Sequence, residues 1–570
     1  MKNTLAFSTL IAYCTLSSTL AVASPNDAPA PEASSGLRAA QTITTQHGVC
    51  VTAHPLATKA CQSMLNQGGT AADGAMAAAW MLGLVEPQSS GLGGGGYLVY
   101  FDGKHTYALD GRETAPRTAK PERFLDTQGA PLPFRQAVTS GLSVGTPGMV
   151  QLMAQISKRF GKLKWQTTLK PAITTAAQGF AITPRLHQLL SVDPSLRSSN
   201  AASIFYPDGQ PLAVGSHYTN PAYAQTLSGL SRQGTDYFYH GKLTTAILAA
   251  ANTQGSDLAL ADFDSYKIVT SNALCHSIST SYQACGVPPS SSGGVAVLQI
   301  LGMLHGKLPT DPILAATQLT NASRLAFADR DEYLADPAFE KVPTAALLAP
   351  DYLAKRSALA IGTHLDQVSA GLGSHQPSTE GVDAPNTSHI SVVDSHGRAA
   401  TMTLSIESAF GSNIWVKEGG FFLNNELTDF SFAPTNKGTP VANRVQGGKR
   451  PRSSMSPTLL LNAQGDQVLG VFGSPGGSQI IGYVAQAMLD LINGKTVQQT
   501  LDTPHILRRG DSTELEAGRF DDGFRQALIK AGHILKEGEM TSGLAIIWRT
   551  KDGWVAGADP RREGIALAQQ

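Results

Sequence analysis

The 570-residue sequence predicts a large, compact globular protein with an α+β fold. The chain is long enough to bury a large core. Its 57 glycines and its charged fraction of only 15% are typical of a compact globular protein with many loops. Before residue 387 long helical stretches prevail, whereas after it short strands recur at close intervals. This separation favours an α+β or layered αββα arrangement.

The first part of the chain combines a few strands with long helices. The stretch at residues 71–84 is apolar nearly all round, which indicates a buried helix, and Asp102-Gly103 is typical of a hairpin turn. In chain order, the predicted elements are strand Val49–Thr52, helices Pro55–Leu65 and Ala71–Leu84, strands Tyr97–Phe101 and Tyr107–Asp110, helical regions 145–180 and 219–262, hairpin Leu274–Gly286, helix Val295–Leu304 and helical region 313–360.

A polar, turn-rich segment, Gly371 to Asn386, separates the two parts and is a candidate exposed loop for cleavage. The second part is dominated by strands. Its predicted elements are strands Ile390–Val393, Ala399–Leu404, Phe421–Leu423, Thr458–Leu461 and Val468–Phe472, helices Ile480–Leu491 and Phe524–Ala531, and strands Gly543–Trp548 and Trp554–Asp559.

The N-terminus has the pattern of a secretory signal. Lys2 precedes an apolar stretch from Leu5 to Leu20, and Ala21-Val22-Ala23 forms a small-x-small cleavage site. The stretch is too short and too polar for a membrane anchor, which needs about 20 predominantly apolar residues. We therefore expect a signal peptide at residues 1–23, cleaved near Ala23, and export to a periplasm or to the outside.

The charges of the chain balance, with 43 Lys and Arg against 43 Asp and Glu. No basic run stands out, so nothing indicates binding to nucleic acid or to an anionic membrane. The sequence also lacks a metal-spaced histidine cluster and a dinucleotide fingerprint.

Four cysteines remain once the signal is removed: Cys50, Cys61, Cys275 and Cys285. Proximity favours the pairs 50–61 and 275–285, although four cysteines permit three connectivities. Neither pair has the spacing of a zinc site. Two structural disulfides suit an oxidising compartment, and buried free thiols are the alternative.

Asn386-Thr387-Ser388-His389 is the most informative motif of the chain. If the peptide bond before Thr387 is cut, the freed α-amino group can act as the base for the Thr387 hydroxyl. Such an amine titrates at about 7.7–8.0, so a useful fraction is unprotonated near neutral pH. The alternative is that Thr387 and His389 are ordinary strand residues.

Two further groups of residues suit acyl-transfer chemistry. The turn Gly473-Ser474-Pro475-Gly476-Gly477-Ser478 lies between a strand and an apolar helix, where backbone N–H groups can stabilise an oxyanion. The alternative is an ordinary strand-to-helix turn. Arg112 can bind a carboxylate with help from Ser453 and Ser454, and Glu407, Glu426 and Asp429 can bind an ammonium group. Taken singly, each of these residues is typical of a surface salt bridge or a cap, whereas together they suit a zwitterionic amino-acid group.

The motifs, taken in order, resemble the γ-glutamyltransferase (γ-glutamyltranspeptidase) family and its cephalosporin-acylase relatives, from about residue 45 to 565. The segments that carry the resemblance are Gly93-Gly94-Gly95-Gly96, Arg112-Glu113-Thr114-Ala115-Pro116, Pro288-Pro289-Ser290-Ser291-Ser292-Gly293-Gly294, Thr387-Ser388-His389, Leu423-Asn424-Asn425-Glu426 with Asp429-Phe430, Lys449-Arg450-Pro451-Arg452-Ser453-Ser454-Met455-Ser456-Pro457, and Pro475-Gly476-Gly477.

The resemblance implies an N-terminal nucleophile hydrolase fold, a four-layer αββα sandwich formed by two subunits cut from one precursor. Self-cleavage between Asn386 and Thr387 would leave a large subunit at residues 24–386 and a small catalytic subunit at 387–570, associated as a heterodimer. It also implies γ-glutamyl substrates such as glutathione, with transfer of the acyl group to water, amino acids or peptides, and a reaction that needs no metal or organic cofactor.

By the same resemblance each site residue has a role. Thr387 is the nucleophile, supported by Ser405, and Gly476 and Gly477 form the oxyanion hole. Arg112, Ser453 and Ser454 bind the substrate carboxylate, and Glu426 and Asp429 bind its ammonium group.

Two segments depart from the family pattern. Ser405-Ile406-Glu407 stands where the family has Thr-x-Asn, so Glu407 adds a third negative charge that can accept from an ammonium group. The segment from Asp429 to Ser453 is shorter than in members with a tyrosine-bearing lid. The alternatives are a glutaryl acylase on the same scaffold, acting on cephalosporins, or a secreted binding protein without activity.

Overall fold

The computed structural model describes residues 34, 36–39, 41–373 and 386–570. The expected signal peptide at residues 1–23 and most of the expected cleavage loop, 374–385, lie outside this range. Among the described residues, no helix is both long and apolar enough to span a bilayer.

Two seven-stranded sheets form the centre of the molecule. The first, here called the Thr387 sheet, has the strand order Ile565–Ala568, Val49–Thr52, Asn386–Val393, Ala399–Glu407, Gly95–Phe101, Thr106–Asp110 and Val269–Asn272. The second, called the opposing sheet, has the order Thr42–Thr45, Gly553–Ala558, Ala545–Thr550, Val468–Phe472, Thr458–Asn462, Tyr282–Gly286 and Leu274–Ser277. Every neighbouring pair in these two sheets is antiparallel.

Alternate residues of the strands point to opposite faces, and this separates two apolar cores. Cys50, Leu98 and Ile390 pack against one group of helices. Val49 and Val99 pack in the core that includes the opposing sheet and a second group of helices. The result is the αββα layering that the sequence predicted.

The helices surround the two sheets and bury their outer faces. Their bounds are Pro55–Asn66, Ala71–Val85, Phe134–Val138, Met149–Phe160, Trp165–Gln178, Pro184–Val192, Ala202–Phe205, Pro221–Gln233, Asp236–Tyr239, Lys242–Thr253, Leu260–Ser265, Gly293–Met303, Pro312–Tyr333, Thr344–Leu347, Pro350–Ala360, Ile480–Ile492, Val497–Asp502 and Asp522–Lys530. Short strand pairs outside the main sheets are Phe180–Ala181 with His217–Tyr218, Trp415–Val416 with Phe421–Phe422, Thr435–Asn436 with Thr439–Pro440, and the trio Ile506–Leu507, Thr513–Glu516 and Leu535–Gly538.

Both predicted disulfides are present. Cys50–Cys61 joins strand Val49–Thr52 to the following helix. Cys275 and Cys285 face each other in the register of a hairpin at the edge of the opposing sheet.

The prediction of an exposed loop that reaches Asn386 is wrong at its last residue. Asn386 and Thr387 already belong to the strand, where they pair with Glu407 and Ser405, and only 1% and 4% of their surface is exposed. The strand begins four residues earlier than predicted because main-chain pairing with a neighbour, rather than apolar alternation, sets its start.

Candidate active site

The sequence-predicted site residues converge on one small cavity of about 30 Å³. Its lining includes all of them except Gly476, which directly precedes the lining residue Gly477. The lining residues are Arg112, Asn386, Thr387, Ser405, Glu407, Glu426, Asp429, Ser453, Ser454, Met455, Gly477, Ser478 and Ile480.

The sheet is irregular directly beside Thr387, which lines this cavity. Asn386 pairs with Glu407 and Thr387 pairs with Ser405, so Ile406 is an extra residue on the neighbouring strand. Such a bulge bends the strand and turns side chains toward a new direction. Glu407 accordingly has a φ of 78°, in the left-handed region that is uncommon for residues other than glycine.

The carbonyl group before Thr387 is already hydrogen-bonded. The Ser405 hydroxyl donates to the main-chain oxygen of Asn386 at 2.8 Å. The Glu407 N–H donates in turn to the Ser405 oxygen at 2.8 Å, which directs the Ser405 proton toward Asn386. A donor in this position withdraws electrons from the carbonyl and stabilises negative charge on its oxygen.

Two further contacts hold the Asn386–Thr387 segment. Ser89 donates its hydroxyl proton to the side-chain oxygen of Asn386 at 3.0 Å. Arg562 donates from Nη1 to the main-chain oxygen of Thr387 at 3.3 Å. Both partners are remote in sequence, and neither was predicted from it. No local pattern marks either residue, because their role arises only when the sheet forms.

The glycine turn lies at the start of helix Ile480–Ile492. Gly476 and Gly477 have φ values of 128° and 56°, a conformation that suits glycine. A Cβ on Gly476 would lie 2.6 Å from the Tyr483 ring, so the site has no room for a side chain. The turn therefore presents backbone next to the cavity, as an oxyanion site requires.

Arg112, Glu426 and Asp429 form one ion-pair cluster. The Arg112 guanidinium pairs with the carboxylates of both acids, and its Nε donates to the main-chain oxygen of Pro451 at 3.3 Å. Arg112 and Glu426 are each 1% exposed. The two halves of the predicted zwitterion site are thus in direct contact. An amino acid that supplies both a carboxylate and an ammonium group can exchange partners with the cluster without leaving a charge unpaired.

Ser453 and Ser454 line the same cavity, and each hydroxyl oxygen has a donor. The Met455 N–H donates to Ser453 Oγ at 3.1 Å, and Arg330 donates to Ser454 Oγ at 2.8 Å. Because the Ser454 hydroxyl oxygen accepts a hydrogen bond from Arg330, the hydroxyl hydrogen can be donated to an anion in the cavity.

Glu407 is held in place by its neighbours. Its Oε2 accepts from Ser408 Oγ at 2.5 Å and from the side-chain amide of Asn425. The cavity therefore carries three carboxylates, those of Glu407, Glu426 and Asp429, beside the guanidinium of Arg112.

His389 lies under the site rather than in it. Its Nδ1 is 2.8 Å from Thr403 Oγ1, and its Nε2 is 3.1 Å from Ser391 Oγ. Burial lowers the pKa of His389 to about 3, so the ring is neutral at physiological pH. A Cβ on Gly473 would lie only 2.0 Å from the imidazole. His389 is thus a hydrogen-bonded strand residue, and it packs against the start of the glycine turn.

Glu113, next to Arg112, is fully buried, and within the described residues neither of its carboxylate oxygens has a hydrogen-bond partner. Burial raises the pKa of Glu113 to about 8, although the nearby charge of Arg112 acts in the opposite direction. Glu113 is therefore largely protonated at neutral pH. Over the same described ranges, no group of His, Cys, Asp or Glu side chains is arranged to hold a metal ion.

A comparison with known proteins matches residues 57–569 to the family described as Gamma-glutamyltranspeptidase. The chain belongs to this family. It is therefore an enzyme of the γ-glutamyltranspeptidase group with an N-terminal nucleophile hydrolase fold, as the motifs predicted.

Similar proteins differ in the activities for which they are named. The chain is 34% identical over 498 residues to a glutathione hydrolase proenzyme of Bacillus subtilis (strain 168), covering 84% of this chain and 82% of the relative. It is 31% identical to the Acylase ACY 1 proenzyme of Pseudomonas sp. (strain SE83), covering 90% and 91%. Among solved structures, cephalosporin acylase from Bacillus halodurans matches with a TM-score of 0.81 and 25% identity, covering 93% of this chain and 97% of that one.

Proposed function

We propose that the protein is a self-processing glutathione hydrolase and γ-glutamyltransferase that works through a threonyl acyl-enzyme. The observation that carries the proposal is the position of the Asn386–Thr387 bond. It lies in the same cavity as the Arg112 ion-pair cluster and beside the hydroxyl of Ser405. One cavity thus holds a nucleophile, a donor to the scissile carbonyl and partners for an amino-acid zwitterion.

The first step is self-cleavage. The Thr387 hydroxyl attacks the carbonyl carbon of Asn386 while Ser405 stabilises the oxyanion. An ester to Thr387 forms, the C–N bond breaks, and the electron pair remains on the Thr387 nitrogen, which becomes a free amine. Water then hydrolyses the ester. The products are a large subunit at residues 24–386 and a small one at 387–570, which remain together as a heterodimer because each of the two sheets contains strands of both subunits.

The mature enzyme repeats this chemistry on its substrate. The α-amino group of Thr387 takes the hydroxyl proton, and the oxygen attacks the γ-amide carbonyl of the donor. The backbone at Gly476 and Gly477 stabilises the oxyanion. Arg112, Ser453 and Ser454 hold the substrate carboxylate, while Glu407, Glu426 and Asp429 hold its ammonium group. Water or an acceptor amine then releases the γ-glutamyl group.

We also propose that residues 1–23 are a signal peptide and that the enzyme works in a periplasm or outside the cell. The two disulfides, Cys50–Cys61 and Cys275–Cys285, support an oxidising compartment.

A glutaryl acylase is the second candidate, because acylases are among the similar proteins. A glutaryl group has the carboxylate of a glutamyl group but lacks its ammonium. The three carboxylates of the cavity would then face no cation from the substrate, which favours a γ-glutamyl donor. A binding protein without activity is the third candidate.

The experiment is to incubate the purified protein separately with a γ-glutamyl anilide and with a glutaryl-β-lactam. We expect a kcat/KM at least 100-fold higher for the γ-glutamyl compound. A preference for the glutaryl compound would assign the acylase function, and an uncut chain inactive on both would assign the binding function.

A further inference from the structure

The loop that precedes strand Gly95–Phe101 passes directly beside Ser405. A Cβ on Gly94 would lie 2.1 Å from the main-chain oxygen of Ser405, so the two backbones are too close for any side chain at this position. This glycine therefore allows the loop, with Ser89 in it, to lie against the bulge next to the Asn386–Thr387 bond.

Ser89 joins the two strands that meet at this bulge. Its hydroxyl donates to Asn386 Oδ1 at 3.0 Å, and its main-chain oxygen accepts from the Ile406 N–H at 3.3 Å. Its own N–H donates to the main-chain oxygen of Glu86 at 2.9 Å. Ser89 and Asn386 are 0% and 1% exposed, so water does not compete for the hydrogen bond between them. The Asn386 side chain is thus tied to the extra residue of the neighbouring strand.

We propose that Ser89 is a positioning residue for self-cleavage, which holds the Asn386 side chain so that the adjoining carbonyl group stays within reach of the Thr387 hydroxyl. This inference rests on the proposed function. Ser89 contacts the side chain of Asn386 and Ser405 contacts the carbonyl that reacts, so the two serines have different tasks. The side chain and the carbonyl group share one Cα, and fixing the first restricts the second. A misplacement of reacting atoms by about 1 Å costs about 10²-fold in rate.

This role belongs to the uncut chain. Asn386 lines the cavity there, and the space that remains is about 30 Å³, enough for roughly two water molecules. A γ-glutamyl group is much larger, so Asn386 has to leave the cavity before a substrate binds. Ser89 then loses its partner, and substrate turnover depends on Ser89 less than self-cleavage does.

Ser90 provides a matched control. It is the same type of residue, it is the next in the chain, and it is 1% exposed. Within the described residues, its hydroxyl has no hydrogen-bond partner. A general need for serine in this loop would depend on both residues, whereas the positioning of Asn386 depends on Ser89 alone.

The test follows the cut fraction of newly synthesised chain over time on a denaturing gel. We expect Ser89→Ala to slow self-cleavage by roughly 10- to 100-fold and Ser90→Ala to be cut at the wild-type rate. Ser89→Cys keeps the size of the side chain with a weaker donor, so its rate should lie between those of Ser89→Ala and wild type. Once processed, Ser89→Ala should lose less in kcat/KM for a γ-glutamyl anilide than it loses in cleavage rate.

A double-mutant cycle separates positioning from a role in folding. Asn386→Ala removes the same hydrogen bond from the other side, so it should slow cleavage by a similar factor. Adding Ser89→Ala to Asn386→Ala should then cause no further loss. If Ser89 only supported the fold of the loop, its replacement would slow cleavage equally in both backgrounds.

Four results would overturn the inference: cleavage of Ser89→Ala at the wild-type rate; an equal loss in Ser90→Ala; losses that add in the double variant; or complete loss of cleavage in Asn386→Ala with only partial loss in Ser89→Ala. The last result would mean that the Asn386 side-chain amide itself takes part in the reaction. A wild-type chain that is never cut would instead refute the proposed function, and this inference with it.

Discussion

The hydroxyl of Ser405 donates a hydrogen bond of 2.8 Å to the main-chain oxygen of Asn386, the carbonyl that precedes Thr387. Ser405 lies opposite Thr387 in the regular register of the two strands, and the bulge at Ile406 follows directly after this pair. In the proposed self-cleavage, the Asn386 oxygen becomes negative when Thr387 attacks, and Ser405 already donates to it in the uncut chain.

Ser405→Ala should slow self-cleavage by roughly 10²- to 10³-fold, the usual cost of removing one oxyanion donor. Ser405→Thr keeps the hydroxyl and should process at a rate close to wild type. The measurement is the conversion of full-length chain into two bands on a denaturing gel over time. Processing of the alanine variant at the wild-type rate would show that this hydrogen bond has no part in cleavage.

Glu407→Gln should reduce the kcat/KM for a γ-glutamyl anilide by about tenfold, because it removes a charge-assisted partner of the substrate ammonium. Activity on a glutaryl anilide, which lacks the ammonium, should not fall, so the ratio between the two substrates shifts. Glu418→Gln, which changes an exposed carboxylate that does not line the cavity, is the control. An unchanged ratio in Glu407→Gln would exclude contact between Glu407 and the ammonium group.

Arg112→Lys should lower the kcat/KM for the γ-glutamyl anilide by about 30- to 100-fold. The lysine retains the positive charge beside Glu426 and Asp429, so the cluster stays neutralised, but a single ammonium cannot bind a carboxylate through two parallel hydrogen bonds. Steady-state kinetics on folded, processed protein provide the measurement. A variant with wild-type kinetics would place the substrate carboxylate elsewhere.

Glu113→Gln should stabilise the protein at alkaline pH. The folded-state pKa of Glu113 is raised to about 8 from 4.5, so the protonated form is favoured in the folded protein. The contribution of Glu113 to the free energy of unfolding is complete below pH 4.5. It declines as the pH rises toward 8, by about 1.4 kcal/mol per pH unit. Glutamine is neutral throughout this range.

The measurement is the unfolding midpoint of both proteins at pH 5 and at pH 8, in the uncut Thr387→Ala background. The advantage of Glu113→Gln should be small at pH 5 and larger at pH 8. An advantage of equal size at both pH values would mean that Glu113 is ionised in the folded protein.

The sequence was sufficient to predict features that depend on residues close together in the chain. Apolar alternation and turns located most strands of the two sheets, and the short separations of the cysteines indicated their pairing. The edge strands Thr42–Thr45, Val269–Asn272 and Ile565–Ala568 were missed because their hydrogen bonds are made to segments remote in sequence.

In the candidate site, too, features that depend on neighbouring residues could be predicted, and contacts between residues remote in sequence could not. Thr387 and the glycine turn are recognisable from neighbouring residues, whereas the contacts of Ser89 and Arg562 with the Asn386–Thr387 segment bridge 297 and 175 positions. The direct pairing of Arg112 with Glu426 and Asp429 could not be predicted either. The types of these residues indicated a site for a zwitterion. Only the folded structure shows that the arginine and the two acids are paired with each other.

The central claim is that Thr387 becomes the first residue of a separate subunit. Its most direct test is N-terminal sequencing of the smaller fragment of the purified protein, with Thr387→Ala as the control. We expect the sequence Thr-Ser-His-Ile-Ser from the wild-type protein and a single uncut, inactive chain from the variant. A wild-type fragment that begins at another residue, or a Thr387→Ala protein that is cut and active, would contradict the account.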